Sequence, residues 1–337
     1  MPTSRYDSII LAHGGGGTLT SALIHQIFLP AFGSRTTAPH DSTLFSIGGR
    51  RAALTTDSYV VQPLFFPGGN IGSLAVHGTV NDLLMSGAKP IALTAGFILE
   101  EGLPLDTLRR VVESMQHSAA AAGVSILAGD TKVIGRANGD GIYINTSGVG
   151  EVVVEEPLAP ERIQTGDVLI LTSDIGRHGI AVMAQRHGLT FDPPVESDCA
   201  SLHAPLLDLF AKGPVPHCAR DLTRGGLGGA LCELAYAAHL DFQIDEALLL
   251  VTKPVKAACE LLGFDPLFVA NEGCAILFVP PDSVDATLAI LKRYSVMANA
   301  RVIGEVGPAG GHVSARTALG TLRRVMPPSG EQLPRIC

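Results

Sequence analysis

The sequence predicts an α/β protein built from two domains. The chain has 337 residues, about twice the length of a common domain. Hydrophobic residues make up 46% and charged residues 17%, which allows large buried cores. The order strand, glycine-rich turn, helix occurs in both halves. Prolines and charges interrupt the patterning at 157–166, so we expect one domain over 1–160, a second over 161–326 and a flexible terminal arm over 327–337.

The composition disfavours nucleic acid and membranes as partners. There are 24 Lys+Arg against 32 Asp+Glu, giving a net charge of -8 and no basic stripe. No apolar run reaches the roughly 18 residues that a membrane helix needs, and the polar start does not fit a signal peptide. The six cysteines form no Cys-x-x-Cys pair, which argues against a zinc knuckle or disulfide framework. We therefore expect a soluble protein in a reducing cytoplasm.

A glycine-rich loop near the start is a candidate anion cradle. Ser8–Ala12 is predicted to be a short apolar strand, and the pattern of a helix begins at Leu19. Between them lie the candidate phosphate-binding residues Gly14, Gly15, Gly16 and Gly17. The loop matches neither the P-loop nor the dinucleotide fingerprint, so a plain flexible turn is the alternative.

Two acidic residues of the first half are candidate metal ligands. A strand over 52–56 is predicted to end at Asp57, beside a turn rich in glycine. The following helix, predicted over 71–88, is almost wholly apolar, and Asp82 is its only charged residue. Burying that carboxylate without a partner is costly, so it is expected either to shift its pKa or to bind a cation.

A charged pair follows the next predicted strand. Core patterning predicts a strand over 90–99, a helix over 105–122 and a buried strand over 124–128. Alternation then puts Asp130 and Lys132 on one side, as a carboxylate for a divalent ion and an ammonium for phosphate. A surface ion pair is the alternative.

The second half repeats the pattern of strands and helices. Predicted strands lie over 167–171, 274–279, 302–306 and 313–315, and predicted helices over 181–188, 200–212, 230–238 and 282–294. His178 is a candidate ligand residue, with a capping or solvent-facing histidine as the alternative.

Two further stretches carry candidate site chemistry. Arg220, Asp221 and Arg224 precede a run of glycines, a combination that suits bound phosphate with a shared metal. The alternative is an Arg–Asp pair within the protein. Glu272 directly precedes a predicted strand and is a candidate base.

The chain ends on a thiol, Cys337, at the tip of a proline-containing arm. Such an arm spans up to roughly 33 Å when extended and could carry the thiol to a distant site. A frayed end with an incidental cysteine is the alternative. A carboxylate beside the thiol disfavours the thiolate, so we expect Cys337 to be a carried substrate rather than a nucleophile.

Several motifs together resemble the HypE family of hydrogenase maturation proteins. They are His13–Thr18, Thr55–Ser58, Pro67–Gly72, Gly78–Asp82, Gly129–Val133, Arg220–Gly226, Asn271–Gly273 and Leu333–Cys337. This family belongs to the same broad group as aminoimidazole ribonucleotide synthetase and selenophosphate synthetase. The resemblance implies a two-domain PurM-like architecture with mixed sheets flanked by helices, a homodimer, and binding of ATP and Mg²⁺.

The resemblance also implies an activity and partners. A HypF-like carbamoyltransferase would place a carbamoyl group on the terminal sulfur, and ATP-dependent dehydration would convert it to an S-cyano group. The cyanide would pass to a HypC–HypD-like iron-carrying complex for a nickel–iron hydrogenase. The alternatives are a selenophosphate synthetase-like phosphotransferase, which would need a reactive cysteine near the glycine loop, and a non-catalytic thiol scaffold. No cysteine precedes Cys199.

Residue roles follow from the same resemblance. The implied catalytic residues are Cys337, Glu272 and Lys132. The implied nucleotide-binding residues are Gly14, Gly15, Gly16, Gly17, Asp57, Asn81, Asp82, Asp130, Lys132, Arg220 and Arg224. The implied Mg²⁺ ligands are Asp41, Asp57, Asp82 and Asp221.

Overall fold

The computed structural model describes residues 8–15, 17–32, 40–326 and 336–337. Gly16 and most of the terminal arm, 327–335, therefore lie outside the described residues. The remainder forms two α/β units, each built on its own mixed sheet. The predicted fold class, mixed sheets flanked by helices, is confirmed.

The first unit contains a five-stranded sheet and two long helices. In chain order its elements are α1 (Thr18–Leu23), a π-helical turn (Ile24–Phe28), α2 (Leu29–Phe32), β1 (Thr43–Ile47), β2 (Arg50–Tyr59), β3 (Phe65–Phe66), β4 (Gly69–Asn70), α3 (Ile71–Met85), β5 (Ala88–Glu100), α4 (Leu105–Ala121), β6 (Ser125–Ile134) and β7 (Ile142–Val152). The sheet order is β1-β2-β7-β5-β6, and β3 and β4 form a separate hairpin. β5 runs parallel to β6 and antiparallel to β7.

The second unit contains a seven-stranded sheet. Its elements are β8 (Val168–Leu171), α5 (Arg177–His187), α6 (His203–Lys212), β9 (Cys218–Asp221), α7 (Gly226–Ala238), β10 (Leu240–Asp245), α8 (Lys253–Leu262), β11 (Ala275–Val279), α9 (Val284–Leu291), β12 (Arg301–Ala309), β13 (Val313–Arg316) and β14 (Leu322–Val325). The order is β14-β13-β10-β12-β8-β11-β9, with β10 parallel to β13 and antiparallel to β12. Among the described residues, no helix has the length and apolar character needed to cross a bilayer.

Helix α3 packs against one face of the first sheet, so the side chains of β2 on that face are covered by the helix. Along β2 the buried positions include Thr55 and Tyr59, and Asp57 lies between them on the same face by the two-residue repeat. The Tyr59 hydroxyl lies against Gly78 of α3, where a Cβ atom would collide with it. The glycine therefore lets β2 and α3 approach closely.

One predicted strand is wrong, and the burial expected for another is wrong. The stretch predicted as a strand over 8–12 contains a 3₁₀ turn, Leu11–Gly14, and Ile9 and Leu11 are exposed. A short apolar run does not by itself identify a strand, because a strand also needs a neighbour to pair with. The strand predicted over 124–128 is part of β6, but its side chains are almost all exposed rather than buried, because little of the described chain covers either face of this edge strand.

Candidate active site

Three carboxylates from distant parts of the chain form a compact group, which we call the acidic cluster. Asp41 precedes β1, Asp82 lies on α3, and Asp221 is the last residue of β9. One ligand atom from each of the three lies within 4.8 Å of the others. The structure therefore brings both units together at the acidic cluster.

Hydrogen bonds fix two members of the cluster and leave one oxygen free. Thr55 donates its hydroxyl proton toward Asp82 Oδ2 at 2.7 Å and lies 2.9 Å from the carbonyl oxygen of Asp41. Arg220 Nε donates to Asp41 Oδ1 at 2.6 Å. Asp41 Oδ2 is buried without a hydrogen-bond partner among the described residues. Such an oxygen is unusual unless something else binds it.

The electrostatics of the cluster favour a cation. Burial, opposed by Arg220 and reinforced by Asp57, raises the pKa of Asp221 to about 6. Burial is also the main cause that raises the pKa of Asp41 and of Asp82, and the other acids of the cluster add to it. Crowded, buried carboxylates with a free oxygen are a donor set that suits a hard divalent ion.

Asp57 lies beside the cluster rather than within it. It is absent from the group of three ligand atoms, although its charge raises the pKa of Asp82 and Asp221. Burial raises the pKa of Asp57 itself, and the nearby Arg224 opposes that shift. Asp57, on β2, is thus close enough to the cluster to contact an ion or molecule bound there.

Glu272 is buried in the second unit, on the loop before β11, and faces the same region. Its backbone N–H donates to Asp198 Oδ1 at 3.2 Å, and the N–H of Gly273 donates to Oδ2 at 3.1 Å. Its own Oε1 is buried without a partner among the described residues. Burial raises the pKa of Glu272 well above its usual range, and the charges of Asp221 and Asp57 add to the shift. A carboxylate in this setting holds a proton tightly.

Asp198 was not found by reading the sequence. It lies in a loop with no periodic pattern, and only the fold shows that its carboxylate fixes the backbone of Glu272.

The end of the chain folds back into this region. The N–H of Val60 donates to a terminal carboxylate oxygen of Cys337 at 3.2 Å, and His178 Nε2 lies 2.6 Å from the carbonyl oxygen of Ile336. The Ile336 side chain is 4% exposed and packs in the main core. The last two residues are therefore held by both units.

The thiol of Cys337 lies in the electrostatic surroundings of the candidate base. Burial raises the pKa of this thiol, and Glu272 is the next cause, with Arg224 opposing it. The charge of Cys337 is the largest cause that raises the pKa of Arg224. Arg224 Nη1 also donates to the carbonyl oxygen of Gly14 at 3.4 Å. The same guanidinium therefore binds the glycine loop, which includes Gly15 and Gly17, and interacts electrostatically with Cys337.

Two predicted phosphate-binding residues already have protein partners. Arg220 pairs with Asp41 and, at 2.9 Å, with Glu233, which is the intraprotein alternative considered from the sequence. The Asn81 side chain donates to the carbonyl of Ala200 at 3.0 Å and accepts from the N–H of Leu202 at 2.9 Å. Both side chains thus join the two units.

Asp130 and Lys132 lie apart from the cluster within one chain. They form an ion pair at 2.7 Å on β6 with side chains 70% and 71% exposed. β6 is three strands from β2 in the sheet, a separation of roughly 14 Å from the strand that carries Asp57. The sequence placed both residues on one side of a strand, but it could not show that this strand is an edge.

Comparisons with known proteins agree with the two-unit fold. Residues 39–152 match the family model for the N-terminal domain of AIR synthase related proteins, and residues 164–316 match the model for the C-terminal domain. Carbamoyl dehydratase HypE of Cupriavidus necator is 45% identical over 332 residues, covering 98% of this chain and 95% of that protein. Carbamoyl dehydratase HypE of Escherichia coli is 41% identical, covering 98% and 100%.

Solved structures show the same similarity. A chain from the crystal structure of a HypE–HypF complex is 42% identical with a TM-score of 0.86, covering 91% of this chain and 100% of that chain. The hydrogenase maturation protein HypE in complex with ATP is 41% identical with a TM-score of 0.83, covering 98% and 100%.

Proposed function

Because the chain belongs to the HypE family of carbamoyl dehydratases, we propose that it uses ATP to dehydrate a carbamoyl group carried on the sulfur of Cys337. The product is an S-cyano group. The observation that carries this proposal is the docking of the chain end: Val60 and His178 hold Cys337 and Ile336, and the charges of Glu272 and Arg224 act on the Cys337 thiol. A HypF-like protein supplies the carbamoyl group, and a HypC–HypD-like iron complex receives the cyanide for a nickel–iron hydrogenase.

Dehydration requires the carbamoyl oxygen to leave and both nitrogen protons to be removed. Expulsion of bare hydroxide is slow, so transfer of the terminal phosphoryl group of ATP to that oxygen supplies a leaving group. The C–O bond then breaks, the nitrogen lone pair forms the third C–N bond, and the products are S–C≡N, ADP, phosphate and a proton. Glu272 is the proposed proton acceptor: its buried Oε1 is unpartnered, the charge of Arg224 favours its ionised form, and the raised pKa makes that ionised form a stronger base. Arg224 is placed to neutralise negative charge near the sulfur.

Mg²⁺ fits the acidic cluster. The cluster supplies carboxylate oxygens from Asp41, Asp82 and Asp221, with Asp57 beside them, and Asp41 Oδ2 is free to bind. When bound, Mg²⁺ supplies positive charge that offsets the charge of the ATP phosphates. The buried carboxylates fix its position, and Thr55 holds two of the three chain segments together.

The proposal is tested by intact mass spectrometry of the protein incubated with a carbamoyl donor system and ATP. We expect an adduct with the mass of a carbamoyl group that later loses the mass of one water, with one ADP formed per water lost. A thiol that stays unmodified throughout would contradict the proposal.

We expect Asp221→Asn to stabilise the metal-free protein at pH 7.5 while removing its response to Mg²⁺. Folding raises the pKa of Asp221 to about 6, so the folded protein binds a proton more tightly than the unfolded chain. Protonation of Asp221 therefore stabilises the folded state fully at a pH below the pKa of the unfolded chain. That contribution is lost as the pH rises through about 6, so a pKa rise of this size gives asparagine a gain on the order of 3 kcal/mol at pH 7.5 and little at pH 4. Thermal unfolding with and without Mg²⁺ measures both effects.

Asp106→Asn is the matched control for this prediction. Asp106 lies in a surface ion pair with its side chain 87% exposed, so its replacement should leave the Mg²⁺ response intact. An Asp221→Asn protein that keeps the full wild-type Mg²⁺ stabilisation would contradict the proposed ligand set.

We further propose that two copies associate through the free edges of the first sheet. β1 and β6 are the edge strands, and Phe45, Ile47, Leu127 and Val133 expose apolar side chains there. An unpaired edge with apolar side chains is a template for pairing with another chain. Under this proposal the phosphate contacts of Asp130 and Lys132 lie at the subunit interface.

Leu127→Asp is expected to convert the dimer to a monomer, because it buries an unpaired charge at the proposed interface. Leu127 is 73% exposed in the single chain. Leu261→Asp is the matched control, since Leu261 is 69% exposed on α8 of the other unit. Sedimentation equilibrium measures the mass, and an unchanged dimer in Leu127→Asp would exclude this edge.

A further inference from the structure

We infer that His178 is a positioning residue that holds the end of the chain in the site through the main-chain carbonyl of Ile336. This inference rests on the proposed function, because it concerns how the Cys337 sulfur is presented to Glu272. His178 lies on the first turn of α5 with no exposed surface, and its Nε2 is 2.6 Å from the Ile336 oxygen. The residue touches the chain adjacent to the thiol and acts through it.

The hydrogen-bond pattern fixes the tautomer of His178. A carbonyl oxygen only accepts, so Nε2 must carry the proton and donate to Ile336. Nδ1 then accepts from the Ser197 hydroxyl at 2.8 Å, and Ser197 Oγ accepts from the N–H of Cys199 at 3.0 Å. Each group in this series therefore has a fixed role: the N–H of Cys199 donates to Ser197, Ser197 donates to His178, and His178 donates to the Ile336 carbonyl. Burial also lowers the pKa of His178 to about 4, so the ring is neutral at ordinary pH.

Both units contribute to the orientation of the ring. Phe66 of the first unit packs edge-to-face on His178 with ring centroids 5.3 Å apart. The N–H of Ser197 donates to the carbonyl of Pro67 at 2.8 Å. Gly68 has φ +85°, and a Cβ atom there would meet the Ser197 backbone at 2.7 Å. The close turn at Pro67 and Gly68 therefore supports Ser197, and through it His178.

The contacts determine what the site recognises. His178 donates to the carbonyl of Ile336, and the N–H of Val60 donates to the terminal carboxylate of Cys337. These hydrogen bonds to the main chain on either side of the Cys337 Cα fix its position, and the buried Ile336 side chain anchors it. Since neither bond involves the sulfur, the thiol stays free to carry a group. The recognised chemistry is a peptide carbonyl followed by a terminal carboxylate, with an apolar side chain on the penultimate residue.

Two variants of His178 test the inference. His178→Ala removes the donor, whereas His178→Gln keeps an N–H at a position close to that of Nε2. The first readout is the alkylation rate of Cys337 by iodoacetamide, followed on the 332–337 peptide that cleavage after Glu331 releases. Loss of one hydrogen bond to a buried carbonyl should speed alkylation about five- to tenfold in His178→Ala, with return toward the wild-type rate in His178→Gln.

The second readout is dehydration of the carbamoylated protein. We expect His178→Ala to slow it by a similar factor at saturating ATP, with the KM for ATP unchanged, because the change concerns the position of the tail. His217→Ala is the control: His217 pairs with Asp167 at 2.8 Å in the same unit and makes no hydrogen bond to the described end of the tail, 336–337. It should change neither readout even if it lowers stability.

The outcomes separate this inference from the proposed function. Faster alkylation in His178→Ala, together with a wild-type protein that never dehydrates a carbamoyl group, would support the docking role and overturn the proposed function. Wild-type dehydration with unchanged alkylation and unchanged rate in His178→Ala would overturn the role of His178. Equal defects in His178→Gln and His178→Ala would also overturn it, because the donor would then be irrelevant.

Discussion

Replacing Cys337 with serine is expected to abolish the carbamoyl adduct and all carbamoyl-dependent ATP consumption. Serine keeps the main-chain bond from Val60 and nearly the same size, so the tail should dock as before. A serine hydroxyl offers no sulfur on which a thiocarbamate, and then an S-cyano group, can be carried. The variant therefore isolates the sulfur from the fit of the tail.

The measurement is intact mass combined with ADP release. Cys232→Ser is the matched control, because Cys232 is a half-buried thiol whose Sγ donates to the carbonyl of Val325, at the far side of the second sheet. It should be modified and turned over like the wild type. Wild-type ADP release by Cys337→Ser, dependent on the carbamoyl donor, would show that the sulfur is not the carrier.

Changing Glu272 to glutamine is expected to leave carbamoylation intact and to slow dehydration by about 10²–10⁴-fold. Glutamine has the same shape and keeps the backbone bond to Asp198, so the loop should not move. It lacks the basic oxygen that would accept a proton from the carbamoyl nitrogen. The carbamoylated protein should therefore accumulate, with ATP still bound.

Single-turnover mass spectrometry follows this step directly. Glu233→Gln is the control, since Glu233 pairs with Arg220 near the acidic cluster but is half-exposed and is not among the groups that shift the pKa of Cys337. It should dehydrate the adduct within a small factor of the wild type. If Glu272→Gln converted the adduct at the wild-type rate, another group would have to be the base.

The acidic cluster shows how much of the site could be predicted from the sequence. Asp82 was a strong signal, because a lone carboxylate in an apolar helix needs a partner. No sequence pattern indicates the distances between Asp82, Asp41 and Asp221, which lie far apart along the chain and meet only because α3, β9 and the segment before β1 converge. The need for a carboxylate partner was predictable from the residue types, but the meeting of these three segments in space was not.

Side chains that can be satisfied in more than one way were the hardest to interpret. A guanidinium or an amide binds phosphate or a neighbouring protein group equally well, and the sequence does not distinguish them. Arg220 and Asn81 bind protein groups in the structure. The sequence is compatible with His178 as a ligand residue or as a capping or solvent-facing residue. In the structure His178 contacts the tail at Ile336, which no local pattern could show.

The fold was predictable where periodicity is long and strong. α3 and α4 were found to within a few residues, since long apolar or amphipathic runs are reliable signals. The exposure of β6 and the 3₁₀ turn at Leu11–Gly14 were not predictable, because a short apolar run does not reveal whether neighbours cover it.

The docking of Cys337 in the site of its own chain has a kinetic consequence under the proposed function. A tethered reactant makes the chemical step first order, so its rate constant should not change when the protein is diluted, unlike a reaction between separate molecules. The product also stays covalently attached, so without an acceptor each polypeptide can complete one round only. The yield of cyanide is then limited by the amount of protein, and sustained flux is set by how quickly the acceptor unloads it.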